Sequence, residues 1–315
     1  MLKSPICDLL GIRYPIFQGA MAWIADADLA AAVSNAGGLG IIAGGSAPVD
    51  VVREQVRKAH TLTDKPFGVN IMLMSPHAAD LAQMVAEEKV PVVTTGAGNP
   101  ATYLPTWQAA GSAVIPVIPS AGIAKKMEAL GATAVVAEGG ESGGHVGDLT
   151  TMALLPQVCD AVRLPVLAAG GIGDGRGLAA ALMLGACGVQ MGTRFLVARE
   201  CNVHPTYKAK VLAALDIGTI MTGKRLGHPV RALRSPFTTQ LFAKEYDASV
   251  SNEELERLGQ DSLRKAAIDG DEEGGSFMAG QIAGLVHAEQ SAAEIIADMM
   301  GQAETLLRGA PDWVG

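Results

Sequence analysis

The sequence predicts an α/β chain: a (β/α)8 TIM barrel with a smaller inserted α+β domain after the eighth strand. Three observations lead there. Eight short, nearly continuous apolar runs start about 25 residues apart, the texture of strands buried on both faces. Segments of helical period separate them, so parallel strands joined by right-handed crossovers are expected. Glycine, 38 of 315 residues, gathers at the ends of these runs, where backbone turns sharply or presses against a ligand. Eight units is the number that closes a barrel, and a doubly wound open sheet is the alternative.

The strands are expected at Tyr14–Gly19, Leu39–Gly44, Phe67–Met72, Val90–Gly96, Ala113–Ile118, Ala134–Gly139, Pro165–Gly171 and Gly188–Thr193. Between them the helices read as Asp28–Asn35, Pro48–His60, Pro76–Glu88, Pro100–Ala110, Ser120–Leu130, Thr150–Val162 and Asp174–Leu184. Three of these open on proline, whose missing N–H costs nothing in a first turn. The first stops at Gly37-Gly38 and the last at Gly185.

Beyond strand eight the texture changes. Tyr207–Leu215 and Asn252–Ala267 read as helices, the second opened by the capping-box pattern Ser251-x-x-Glu254. Gly218–Arg234 holds strand-like pieces, and Asp269–Gly275 reads as a solvated turn rather than a metal loop. Ser276–Val286 and Ala292–Leu307 close the chain as helices. The barrel is therefore assigned to residues 1–202 and 279–315, and a small domain on the substrate and nicotinamide side to 203–278.

Bulk properties narrow the function classes. A net charge of -8 argues against nucleic-acid binding by the whole surface. No window reaches the roughly 18 apolar residues of a membrane span, and no signal-peptide core is seen at the N-terminus. Cys7, Cys159, Cys187 and Cys201 are widely spaced, as free thiols of a cytoplasmic protein are, and no metal site is expected. From Arg194 to Arg234 eight Lys/Arg face two acids, which suggests an anionic ligand or partner, or a solvated face of scattered pairs.

In a barrel the chemistry sits at the C-terminal strand ends. Gly170-Gly171 and Gly192-Thr193 follow strands seven and eight, the usual phosphate position, where backbone N–H groups face the anion. His145 lies in the Gly-rich loop after strand six, where a group that exchanges protons near neutral pH is useful. Glu138 ends that strand, and Glu141 beside it is expected to be exposed. No P-loop or proper dinucleotide fingerprint occurs, and no cysteine falls on the strand ends. One histidine, backbone donors and no nucleophile suit a protein that borrows its chemistry from a phosphate-bearing cofactor.

The segments YPIFQGAMAWIAD, AGGLGIIAGG, DKPFGVNIML, VVTTGAGNP, VVAEGGESGGHVG, LAAGGIGDGRG and VQMGTRF resemble the FMN-dependent barrel enzymes that include FabK-type enoyl-acyl-carrier-protein reductases and nitronate monooxygenases, once called 2-nitropropane dioxygenases. The resemblance runs from about residue 5 to residue 310, and GHPVRALRSPF and GSFMAGQIAGLV look like the FabK branch. It implies FMN at the barrel mouth. Gly19, Ala20 and Met21 would flank the flavin ring, and Asn70 and Glu138 would touch the flavin or its ribityl chain. Gly143 and Gly144 would pass close by, and Ala169, Gly170, Gly171, Gly192 and Thr193 would hold the phosphate. His145 matches the family's active-site histidine. Ala20 departs from the pattern, since many relatives have glycine there.

The activity so implied is NAD(P)H-dependent reduction of trans-2-enoyl thioesters in bacterial-type fatty acid synthesis. NADH or NADPH reduces the flavin, hydride passes to the β-carbon, and the α-carbon is protonated. His145 polarises the thioester carbonyl or relays the proton. The implied partners are an acyl-carrier protein and a second copy in a homodimer, with a monovalent cation as an optional accessory. The alternative is a nitronate monooxygenase, in which the same histidine is a base toward a nitroalkane and O2 is the oxidant. A short-chain-dehydrogenase mechanism needs Tyr-x6-Lys, which no tyrosine provides. An inosinate-dehydrogenase-like reading needs a cysteine after strand six, and Glu138–Val158 has none. A non-catalytic FMN-binding redox sensor is a further alternative.

Overall fold

The computed structural model describes residues 2–45 and 47–310. Eight parallel strands and their intervening helices make a TIM barrel: β1 (Ile16–Gln18), β2 (Gly40–Ala43), β3 (Phe67–Met72), β4 (Val92–Gly96), β5 (Ala113–Ile118), β6 (Val135–Glu138), β8 (Val166–Ala169) and β9 (Gly188–Met191). Between β6 and β8 lies β7, the two residues Gly144–His145. The eight expected strands are all present, mostly trimmed by a residue or two where proline or glycine leaves the ladder.

Side chains alternate across each strand. Phe17, Leu39, Ile41, Val92, Ile115, Val136 and Leu167 point inward and fill the barrel. Their neighbours Ile16, Ile42, Val93, Val135 and Val166 face the helices. An unforeseen helix, Pro5–Leu10, packs Ile6 and Leu10 onto the inward cluster. It starts with proline and ends at Gly11 in the left-handed region (φ 67°), a regular C-terminal stop.

Closure falls between β1 and β2, where only Phe17 and Leu39 bridge. The Gln18 N–H donates to the Leu39 carbonyl at 2.9 Å, and the Leu39 N–H to the Ile16 carbonyl at 2.9 Å. One residue on, the buried Gln18 carboxamide replaces backbone: its Oε1 accepts from the Ile41 N–H at 3.1 Å and its Nε2 donates to the Ile41 carbonyl at 3.2 Å.

After β9, residues 203–278 add the helix Pro205–Leu212, an antiparallel pair β10 (Thr219–Thr222) and β11 (Val230–Leu233), and the helix Pro236–Glu245. That last helix was not anticipated, although Ser235 and Thr238 form a complete capping box. At Ser251 only half of the expected box forms, because the Glu254 carboxylate pairs with Lys244 at 2.8 Å. The helix expected over Asn252–Ala267 stops at Gly259 and resumes after Asp261, whose φ is 56°. Asp271 accepts the N–H groups of Glu273 and Gly274, both at 3.0 Å, so Asp269–Gly275 is a self-capped turn. Tyr207, Leu233, Ala266, Ala267 and Phe277 join the same buried cluster as the barrel helices.

The helix expected at Ser276–Val286 is replaced by extended chain and a short 3-10 turn, Gln281–Leu285. Long-range contacts override the local pattern there. The Gly280 N–H donates to Thr193 Oγ1 at 2.8 Å, and the Gln281 N–H to the Glu141 carbonyl at 2.9 Å. The closing helix runs Ala292–Gly309 and packs on Gly175–Met183. No described helix is long and apolar enough to cross a membrane.

Candidate active site

Strand register brings the expected residues to one level around the mouth. Glu138 pairs with Ala169, Ala169 with Gln190, Gln18 with Met191, and Ala43 with Asn70. Gly19, Ala20 and Met21 continue from β1, and Asn70 Nδ2 donates to Thr94 Oγ1 at 2.9 Å. Gly170 and Gly171 leave β8 with φ of 85° and 75°, a region that favours glycine.

The two glycine loops differ in what compels them. A Cβ on Gly170 would lie 2.6 Å from the Gly139 carbonyl oxygen, so packing of the chain itself demands glycine. Beyond Gly192 a Cβ would find only the Met21 side chain, Sδ at 3.6 Å. Its φ of -104° suits any residue, so neither sterics nor backbone requires glycine there. Among the described residues the N–H groups of Gly171, Gly192 and Thr193 have no protein acceptor. The residues present therefore fit a phosphate: both loops carry N–H groups without a protein acceptor, and space is left beside Gly192.

The loop after β6 is pinned on three sides. Glu141 is not exposed as expected but half-buried. Its carboxylate accepts the Thr151 N–H at 2.8 Å and the Thr151 hydroxyl at 2.8 Å, capping the helix Thr151–Ala161. Thr151 Oγ1 also lies 2.9 Å from the Gly170 carbonyl, which ties the two mouth loops together. A Cβ on Gly143 would fall 2.6 Å from the Ala279 carbonyl carbon, so Gly143 is tight against the returning chain. Gly144 and His145 form β7 and pair with β11, Gly144 opposite Arg231 and His145 opposite Val230.

Two titratable groups are displaced from their ordinary values. Burial pushes the Glu138 carboxyl up to about 7, and the nearby Ser142 hydroxyl opposes this only weakly. The same hydroxyl is buried and has no partner of good hydrogen-bond geometry. An acidic proton and an unpaired hydroxyl at the mouth suit the polar edge of a heterocycle. His145 is exposed; desolvation, and then the charge of His228, lower its pKa.

Sequence reasoning missed Arg231 and Tyr207. The buried Arg231 guanidinium donates from Nε and Nη2 to the Gly140 carbonyl at 3.2 and 3.0 Å, and from Nη1 to Thr219 Oγ1 at 3.2 Å. Buried Tyr207 donates its hydroxyl to the Met278 carbonyl at 2.7 Å. Arg231 was visible only as one charge in a basic stretch, because its target lies 91 residues away. Most of that stretch is engaged internally. Lys208 pairs with Glu289 and Lys210 with Glu272, each at 2.7 Å, Arg199 pairs with Glu294, and Arg194 with Gln290. Arg225 and Arg234 bind backbone carbonyls.

The family model described as nitronate monooxygenase matches residues 3–88 and 81–302. A Mycobacterium tuberculosis protein named (3aS,4S,5R,7aS)-5-hydroxy-7a-methyl-1-oxo-octahydro-1H-indene-4-carboxyl-CoA dehydrogenase is 36% identical, over 98% of both chains. A probable nitronate monooxygenase of Staphylococcus saprophyticus is 31% identical, over 97% of this chain and 99% of its own. The solved structure of FabK from Thermotoga maritima superposes with a TM-score of 0.97 and 46% identity, covering 100% of both chains.

Proposed function

The chain belongs to the nitronate monooxygenase family and is a flavin-dependent oxidoreductase; from that premise we propose that it reduces trans-2-enoyl thioesters on acyl-carrier protein, with FMN as cofactor and NADH or NADPH as reductant. The observation that carries the reading is the 46% identity to FabK over the full length of both chains. The CoA thioester in the name of the mycobacterial relative is consistent with a thioester substrate.

When bound, FMN supplies the two-electron hydride chemistry that no side chain here can perform. The chain's residues do the rest. Gly171, Gly192 and Thr193 offer N–H groups to the phosphate, with Gly170 and Ala169 setting their course. Gly19, Ala20 and Met21 border the ring, and Asn70 and Glu138 face its polar atoms. Gly143 and Gly144 carry the histidine loop across the mouth. The lowering of its pKa by desolvation and by His228 favours the neutral imidazole of His145. A neutral imidazole donates its ring N–H to the thioester carbonyl oxygen, which develops negative charge as the β-carbon is reduced. Proton delivery to the α-carbon then comes from the same nitrogen or from water.

Nitronate oxidation is the second reading, favoured by the family description and the staphylococcal relative. Anaerobic mixing with NADH or NADPH separates the two. Fast bleaching of the flavin, reversed by crotonyl thioester, is expected. Slow bleaching, or bleaching that only O2 reverses, defeats the reductase reading.

A further inference from the structure

Lys224 is the one cation of the Arg194–Arg234 stretch with no carboxylate or carbonyl partner among the described residues. It sits at the tip of the β10–β11 hairpin. That tip is built rather than loose. The buried Glu245 carboxylate accepts the N–H of Gly223 at 2.9 Å and of Arg225 at 2.7 Å, on either side of Lys224. The Arg225 guanidinium holds the carbonyls of Asp247 and Val250 at 3.1 and 2.7 Å. The His228 N–H closes the turn on the Gly223 carbonyl at 3.1 Å. Lys224 and His228 themselves are exposed.

The ladder places this tip beside the mouth. Val230 lies opposite His145, and the Val146 N–H donates to the Pro229 carbonyl at 3.0 Å. His228 lies two residues before Val230, and its charge acts on His145. An unpaired ammonium and a second imidazole, fixed at the edge of the mouth on a chain of net charge -8, form an isolated anion-attracting point.

We infer that Lys224 and His228 form a second phosphate-recognition point, separate from the glycine loops, for a phosphate carried by a co-substrate entering the mouth. The inference rests on the thioester-reductase reading. Two sources share this chemistry: the phosphate of a phosphopantetheine arm and the ribose phosphate of NADPH. Binding, rather than turnover, tests it. Calorimetry on the FMN-loaded enzyme compares butyryl-phosphopantetheine with butyryl-pantetheine, and NADP+ with NAD+. The native enzyme is expected to bind the phosphate-bearing member of one pair about tenfold more tightly, as a charge-assisted contact allows. Lys224→Glu should abolish that preference and His228→Asn should weaken it, with flavin content and Tm kept. The pair affected names the source. Absence of any phosphate preference in the native enzyme, or its persistence in Lys224→Glu, overturns the inference. Failure of the reductase reading would instead appear in the anaerobic bleaching experiment.

Discussion

The Arg231 guanidinium makes a two-pronged contact with the Gly140 carbonyl, at 3.2 and 3.0 Å, and so fastens the inserted segment to the loop that carries His145. Backbone pairing of Arg231 with Gly144 adds a second tether one strand-width away. Together they fix the two ends of the stretch Gly140–Gly144 from a single residue.

Arg231→Ala should therefore cost about 2 kcal/mol, the value of charge-assisted bonds to an otherwise buried carbonyl. We expect a lower Tm together with a roughly tenfold loss in kcat/KM, because the His145 loop loses its anchor. A Tm loss with native kinetics would mean that the contact serves only the fold.

Gly192→Val is a cleaner probe of the proposed phosphate loops than any change at Gly171. Gly171 has φ of 75°, so substitution strains backbone as well as filling space. At Gly192 the backbone accepts a side chain and only the Met21 thioether lies near. Far-UV circular dichroism should stay native while FMN is lost on gel filtration. Retained flavin would reduce this glycine to a turn former.

Glu138 should leave a mark on the pH dependence of stability. Its folded value, about 7, lies above the ordinary 4.5. Between these limits the folded chain holds a proton that the unfolded chain has lost, so stability falls as pH rises from about 4.5 to about 7. The full effect is up to about 3 kcal/mol. Thermal unfolding of flavin-free protein from pH 5 to 8 should show this decline, and Glu138→Gln should flatten it.

His145→Gln should lower kcat for crotonyl thioester about 100-fold, the usual range for a proton-handling group. Flavin binding and reduction by the nicotinamide should survive, since neither uses the imidazole. A variant kcat equal to the native one would show that the imidazole takes no part in the reductive step.

Gln18 mends the seam between β1 and β2. Gln18→Leu would leave the Ile41 N–H and carbonyl without their side-chain partner, at about 1–3 kcal/mol for each buried group left unpaired. A Tm shift of several degrees is expected on differential scanning calorimetry. An unchanged Tm would show that water reaches the seam.

What was legible in the sequence was local. Each strand is a run of three to six residues, most of them apolar, so periodicity located all eight barrel strands. The proposed phosphate loops followed from counting strands, since barrels place such sites after the seventh and eighth. His145 stood out by its glycine flanks. What stayed hidden was set by contacts between distant residues. The Asn252–Ala267 pattern promised one helix and Ser276–Val286 another. Each gave way, the second because Gly280 must meet Thr193, 87 residues earlier. The basic stretch looked like a charged surface until folding matched most of its cations to partners, leaving Lys224. Periodicity encodes which face is buried, because that depends on neighbours a few residues apart. Which groups then satisfy one another depends on where the chain returns, and only the tertiary structure decides that.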